Sequence, residues 1–166
     1  GAVTFGFALD EMNGHKNVPG QGIITPTINF IFYGVYQVAG CMIACTLSFI
    51  FYEGHILNFS KESYNFLGIL FAEAVATFIF VFNILTQSEN RFSKNSSIST
   101  LLIVLGLFAA VNITSVLSSG CVNPSLAAGH FLTRFLFGQA DGWEFYQTLV
   151  YIAGELGGSF VAAILY

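Results

Sequence analysis

The chain has 166 residues, 55% of them apolar and 16% aromatic, with five Lys and Arg against nine Asp and Glu and a formal net charge of -4. So few charges and a mean hydropathy of +0.73 exclude an ordinary soluble domain. The small acidic balance is spread over loops, and without a basic block it excludes a nucleic-acid partner.

The first nine residues, GAVTFGFAL, are apolar and stop at Asp10 and Glu11. They read as the tail of a spanning helix that begins upstream, and they lack the basic start and small-residue cleavage site of a secretory leader. Next comes a polar segment, NGHKNVPG at 13–20, followed by the first of four stretches long and apolar enough to cross about 30 Å of hydrocarbon. The four run from Ile28 to Tyr52, Tyr64 to Gln87, Ser97 to Leu117 and Trp143 to Tyr166. The first and third carry no formal charge, the second holds Glu73, and the fourth holds Glu144 near its start and Glu155 deep inside. Cys41 and Cys45 share one helix face and Cys121 is also in an apolar stretch, so all three read as small core residues.

The connecting segments are short. Glu53 to Ser63 holds His55, Lys61 and Glu62, and Ser88 to Ser96 holds Arg91 and Lys94, which makes the second the better cytoplasmic or matrix-side segment. Triplets of the glycosylation type start at Asn58 and Asn95, a pattern common by chance. His15 and His130 stand apart, with no second ligand three or four residues away, so no metal site is expected. Paired nucleophile and base, phosphate-cradling glycine loop and cofactor motif are all missing from the pattern, so neither an enzyme nor a cofactor is expected.

Between the third and fourth spans stands SSGCVNPSLAAGHF, 118–131. Asn caps helices by accepting their first free amides, and Pro suits the first helical position because its missing N–H costs nothing there. Asn123-Pro124 therefore starts a helix, and the apolar segment 124–137 after it is too short to span. Two readings fit: a re-entrant half-helix, which needs protein or a water-filled cavity around its exposed backbone, or a Pro-containing turn between ordinary helices. In the first, the amino end carries partial positive charge and Asn123 offers an amide donor to whatever passes.

These residues resemble the second half of the major intrinsic protein family, the aquaporins and glycerol channels, whose signature is Asn-Pro-Ala on each of two half-helices. The signature here reads Asn123-Pro124-Ser125, with Ser119 and Gly120 before it and Gly129 after it. FAEAVATFIFVF (71–82) resembles the family's fourth helix, YQVAGCMIA (36–44) its third, and the segment from Trp143 to Tyr166 its sixth. The order and spacing agree along 1–166, read as a single domain. The resemblance implies an all-α membrane protein, an aquaporin-like helical bundle with at least one re-entrant half-helix, embedded in membrane lipids and passing water or a small neutral solute.

The resemblance also marks departures. NGHKNVPG resembles the family's first loop, but Asn17-Val18-Pro19 interrupts the Asn-Pro pair, and Gly20, Gly22 and Pro26 oppose a half-helix there. Leu126 stands where the family carries an arginine whose charge helps exclude cations. The filter position of the fifth helix falls at Val111 or Asn112, and Asn112 reads equally as lining a polar path or as bonding a neighbouring helix. Glu73 falls at the family position that braces the pore loop by accepting its amides. Glu155 replaces a family proline, so no role carries over; Arg134 or an outside group are its candidate partners. A pore so altered leaves a second expectation beside the channel: an aquaporin-derived structural subunit of a larger membrane complex. Partners are then either further copies, as a tetramer, or other membrane subunits, in an unspecified membrane, an organellar one being among the candidates.

Overall fold

The computed structural model describes residues 2–12, 24–54, 65–88 and 96–166. Among the described residues six helices follow in order: α1 (Ala2–Met12), α2 (Ile24–Phe51), α3 (Phe66–Ser88), α4 (Ser96–Ser118), α5 (Pro124–Leu136) and α6 (Gly142–Leu165). No strand occurs among the described residues. Four of the helices are long and apolar enough to cross a membrane: Thr27–Phe51, Phe66–Ser88, Ser97–Ser118 and Gly142–Leu165. Each falls within about two residues of its expected span, because an uninterrupted apolar run needs no tertiary information to be seen. Asn17, Pro19, His15, Arg91, Lys94 and the triplets at Asn58 and Asn95 lie outside the described residues. Pro26 does not oppose a helix. It lies in the first turn of α2, where a missing amide hydrogen bond costs little.

The tightest pairing is α3 on α6. A Cβ at Gly154 would stand 2.7 Å from the Leu70 carbonyl oxygen, and one at Gly158 would stand 2.9 Å from the Phe78 nitrogen and strike the Ala74 carbonyl. The two glycines, one helical turn apart, thus let the backbones touch, the small-residue packing that joins membrane helices where lipid and side chain are equally apolar. On the other face of α3 lies α4, fastened near one end by the Asn83 amide donating to the Leu102 carbonyl (2.8 Å). Near the other end the Ser118 hydroxyl donates to Glu73.

Ring contacts show which helix ends share a level. Phe66 faces Trp143 with centroids 6.5 Å apart, and Phe49 stacks on Phe137 at 4.2 Å. The end of α2, the starts of α3 and α6 and the end of α5 therefore meet at one end of the bundle, an aromatic zone of the kind found at membrane interfaces. Inside the bundle are three small clusters: Ala2, Val81, Leu85 and Ala162; Ile69, Cys121, Ala127 and Tyr151; and Ala76, Ala110 and Val122. The first joins α1 to α3 and α6, and the other two hold the segment leading into α5.

Candidate functional site

The site begins where α4 stops. Ser119 (φ 63), Gly120 (φ 71) and Val122 (φ 49) all occupy the left-handed region. This reverses the chain within a few residues, and for a β-branched side chain such as Val122 the conformation costs on the order of 1–3 kcal/mol. Gly120 is also pressed on α4, since a Cβ there would lie 2.9 Å from the Val111 carbonyl. Such a loop persists only if its surroundings over-determine it, and two carboxyl groups do so. Glu73 is fully buried and accepts from the Ser118 hydroxyl, from Cys121 N–H (3.3 Å) and from Val122 N–H (2.8 Å). Glu155, also fully buried, accepts from Asn123 N–H at 2.7 Å. The Tyr151 hydroxyl donates to the Ser118 carbonyl at 2.6 Å, closing the free end of α4.

Asn123 then caps α5. Its backbone is extended (φ -154, ψ 107) and its Oδ1 accepts from Ser125 N–H at 3.1 Å, with Pro124 at the first helical position. The cap consumes the carbonyl end of the amide, which leaves Nδ2 as the group Asn123 presents to the adjoining cavity. With 13 residues α5 is about 20 Å long, short of a 30 Å crossing. It starts level with Glu155, midway along α6, and ends beside α6's first turn. There Arg134 makes a two-pronged pair with Glu144, Nε to Oε2 and Nη2 to Oε1 both at 2.8 Å, and donates to the Gln139 carbonyl at 2.6 Å. The chain thus dips to mid-bundle and returns to the end it was approaching, and Gly129 lets α5 lie against α2, where a Cβ would be 3.1 Å from the Val38 carbonyl.

A second short helix opposes it. α1 has 11 residues, about 16 Å, and its amino end is at mid-bundle too: the Ala2 carbonyl accepts from the Ser159 hydroxyl at 2.6 Å, and the Thr4 hydroxyl accepts from Gln37 Nε2 at 2.9 Å. It runs the opposite way from α5, toward the end where Phe5 meets Phe30 (5.3 Å). Gly6 seats it as Gly129 seats α5, a Cβ there falling 2.7 Å from Val81 and 3.1 Å from the Ser159 hydroxyl. The described part of this segment is the helix Ala2–Met12, and its residue-2 end faces the amino end of α5 across the bundle.

Between the two amino ends lies a cavity of about 400 Å³ lined by Ala2, Val3 and Thr4 of α1, Gln37 of α2, Phe80 of α3, Leu107 of α4, and Cys121, Val122, Asn123 and Leu126. Gln37 spans it, donating to Thr4 and accepting from the Ser125 hydroxyl at 3.3 Å. None of the lining side chains carries a formal charge. The expected residues distribute as follows. Asn123, with Leu126 one turn later, lines the cavity, while Pro124 and Ser125 are buried behind it in the first turn of α5. Glu73 grips the loop from outside the lining. Asn112 is elsewhere: it is exposed, and its Nδ2 donates to the Phe108 carbonyl of its own helix at 2.7 Å. Leu107 supplies α4's side of the cavity instead. Arg134 pairs with Glu144 rather than Glu155, because the return of α5 carries residue 134 to the bundle end while residue 155 stays at mid-depth.

Gln37 and Thr4 were contributors that reading along the chain missed, and Glu155 was singled out there without a role. One signal was available: Tyr33, Gln37 and Gly40 of α2 stand at the spacing of Tyr151, Glu155 and Gly158 of α6. This is an internal repeat that pairs the two helices carrying the short ones. Among known proteins, the family model described as "Major intrinsic protein" matches residues 21–166. No curated protein matches the chain.

Proposed function

This chain belongs to the major intrinsic protein family, a family of membrane channels, and on that premise we propose that it passes water or a small neutral solute by passive diffusion through the cavity between α1 and α5. The observation that carries the reading is the convergence of the capped amino end of α5, the residue-2 end of α1 and Gln37 on one uncharged cavity. The α5 amino end contributes about half a positive elementary charge, so a cation meets an unfavourable field there. A neutral solute meets Asn123 Nδ2 and the polar edge of Gln37 set among Phe80, Leu107 and Leu126. Selection then rests on diameter and placed donors, with Leu126 supplying bulk and no charge.

The test is osmotic swelling of liposomes holding the purified protein, compared with Leu126→Trp, whose indole fills the cavity. The native protein raises solute or water flux above that of empty liposomes and Leu126→Trp returns it to that level. A native protein no more permeable than empty lipid sinks the channel reading. The second reading, a non-conducting subunit of a larger membrane assembly, draws on the outer face of α2, where Phe32, Tyr36 and Ile43 are 59%, 71% and 64% exposed. Co-purification with a fixed ratio of other membrane subunits, together with silent liposomes, favours it, whereas a tetramer of this chain alone favours the channel.

A further inference from the structure

Glu155 is the side chain whose position makes least sense as packing. It is fully buried at mid-depth of a membrane helix, where a carboxyl group is expensive. One oxygen, Oε1, accepts from Asn123 N–H at 2.7 Å. The rest of its carboxyl group lies against the Glu73 carboxyl group and the Cys121 thiol. An apolar side chain of the same size would fill the space, and the backbone bond that it could not make is the one to Asn123.

The contacts around it give that bond a purpose. Cys121, Val122 and Asn123 are successive residues lining the cavity, and their three N–H groups are divided between two carboxyl groups that are neighbours behind the loop: Glu73 takes the first two and Glu155 the third. The third amide belongs to the residue that presents a side-chain donor to the cavity. Across the cavity the repeat places Gln37 of α2 in register with Glu155, and Gln37 likewise reaches the first turns of both short helices, at Thr4 and Ser125. Each carrier helix thus sends one polar side chain from the same register to the start of a short helix.

We infer that Glu155 is a positioning residue of the conduction site, fixing through the Asn123 amide the direction in which the Asn123 side chain meets a passing solute. The inference rests on the channel reading and adds to it a residue that does not itself line the cavity. Without the Oε1 acceptor the Asn123 amide, left buried, turns toward the cavity for a partner, and the cap on α5 turns with it. Glutamine keeps the acceptor and places an amide where Oε2 was, beside the Glu73 carboxyl group. Methionine keeps the volume and has no comparable acceptor.

The experiment compares native protein, Glu155→Gln and Glu155→Met in liposomes, with water and glycerol flux divided by the amount of monodisperse protein reconstituted and thermal unfolding measured in detergent alongside. The expected result is flux per copy within about twofold of native for Glu155→Gln and at least tenfold lower for Glu155→Met, with the water-to-glycerol ratio changed. Rescue by the glutamine variant separates positioning from mere packing, which lowers the unfolding temperature of the methionine variant and leaves flux per folded copy alone. If Glu155→Met is too unstable to reconstitute, Glu155→Gln and Asn123→Asp carry the test: a glutamine variant at least tenfold below native in flux per copy overturns the inference, since the acceptor is kept, and Asn123→Asp keeps the backbone amide and removes the side-chain donor. Native-like flux in Asn123→Asp, or equal flux per copy in native and Glu155→Met, overturns the inference while leaving the channel reading intact. A native protein that does not conduct overturns both.

Discussion

Replacing Glu73 by Leu tests the claim that a strained loop is held by a buried carboxylate. The substitution removes the acceptor for three buried donors, Ser118 Oγ–H, Cys121 N–H and Val122 N–H. A buried donor left unpaired costs about 1–3 kcal/mol. Ser118 retains a second acceptor in the Thr114 carbonyl at 3.2 Å, so two amides carry most of the loss. Release of the left-handed Val122 returns a part of it, and a net loss of about 3 kcal/mol is the expectation. Cys121 reports it directly, being 6% exposed and within the loop. In a Cys41→Ser, Cys45→Ala background, the rate at which Cys121 reacts with a small maleimide in detergent measures how often the loop opens. A loss of about 3 kcal/mol raises that rate on the order of a hundredfold, with the four long helices still folded by circular dichroism. A change of less than threefold would mean that the amides find other partners, and the carboxylate grip would no longer explain the loop.

The remaining expectations concern packing and caps. Gly158→Val drives side-chain atoms into the Ala74 carbonyl, so α3 and α6 separate and the melting transition in detergent falls by the equivalent of at least about 3 kcal/mol; an unchanged transition refutes the close approach. Arg134→Met takes the two-pronged cation away from Glu144, 7% exposed, and costs about 3–5 kcal/mol, whereas the double variant with Glu144→Leu recovers most of that. A double variant no more stable than the single one contradicts the pairing. Asn123→Ala removes the cap and the side-chain donor together and costs about 1 kcal/mol, small enough that the protein still folds; an unchanged melting transition in detergent refutes the cap.

What could be read along the chain, and what could not, divides by the distance over which the information is stored. The four spans are local: each is a long run rich in apolar residues and poor in charge, and the structure moves their ends by about two residues. The start of α5 is local as well, since Asn123 and Pro124 carry the cap and first turn in their own chemistry. The partners of Glu155 and Arg134 are not local. Nothing in the sequence around residue 134 says that α5 folds back along the first half of α6, and only that return separates the pairs Arg134–Glu144 and Asn123–Glu155. Asn112 illustrates the converse error, for a polar residue in an apolar helix invites a role in the lumen while the carbonyl one turn back satisfies it.

The same reasoning explains why α1 was hard to place and why it matters for the cavity. Apolar content identifies a segment that avoids water, and both a spanning helix and a short buried one meet that condition. A glycine marks the close approach in each of α1 and α5: Gly6 against the Val81 and Ser159 side chains, and Gly129 against Val38 and Cys41. Once the two glycines are matched, Val3 falls level with Leu126, and both line the cavity. The two short helices therefore present an aliphatic side chain one position past the small residue of their first turns, Ala2 in one and Ser125 in the other. No fixed cation stands at either place, so the positive field inside comes from the amino end of α5. That field is weak beside a guanidinium and dies within about one turn. Restoring a cation with Leu126→Arg should consequently lower flux of a bulkier solute such as glycerol more than that of water, by occupying volume as well as by adding charge. Leu126→Met, which keeps volume and neutrality, should leave both fluxes unchanged. A methionine variant as restrictive as the arginine one would show that the side chain at 126 does not face the transported solute.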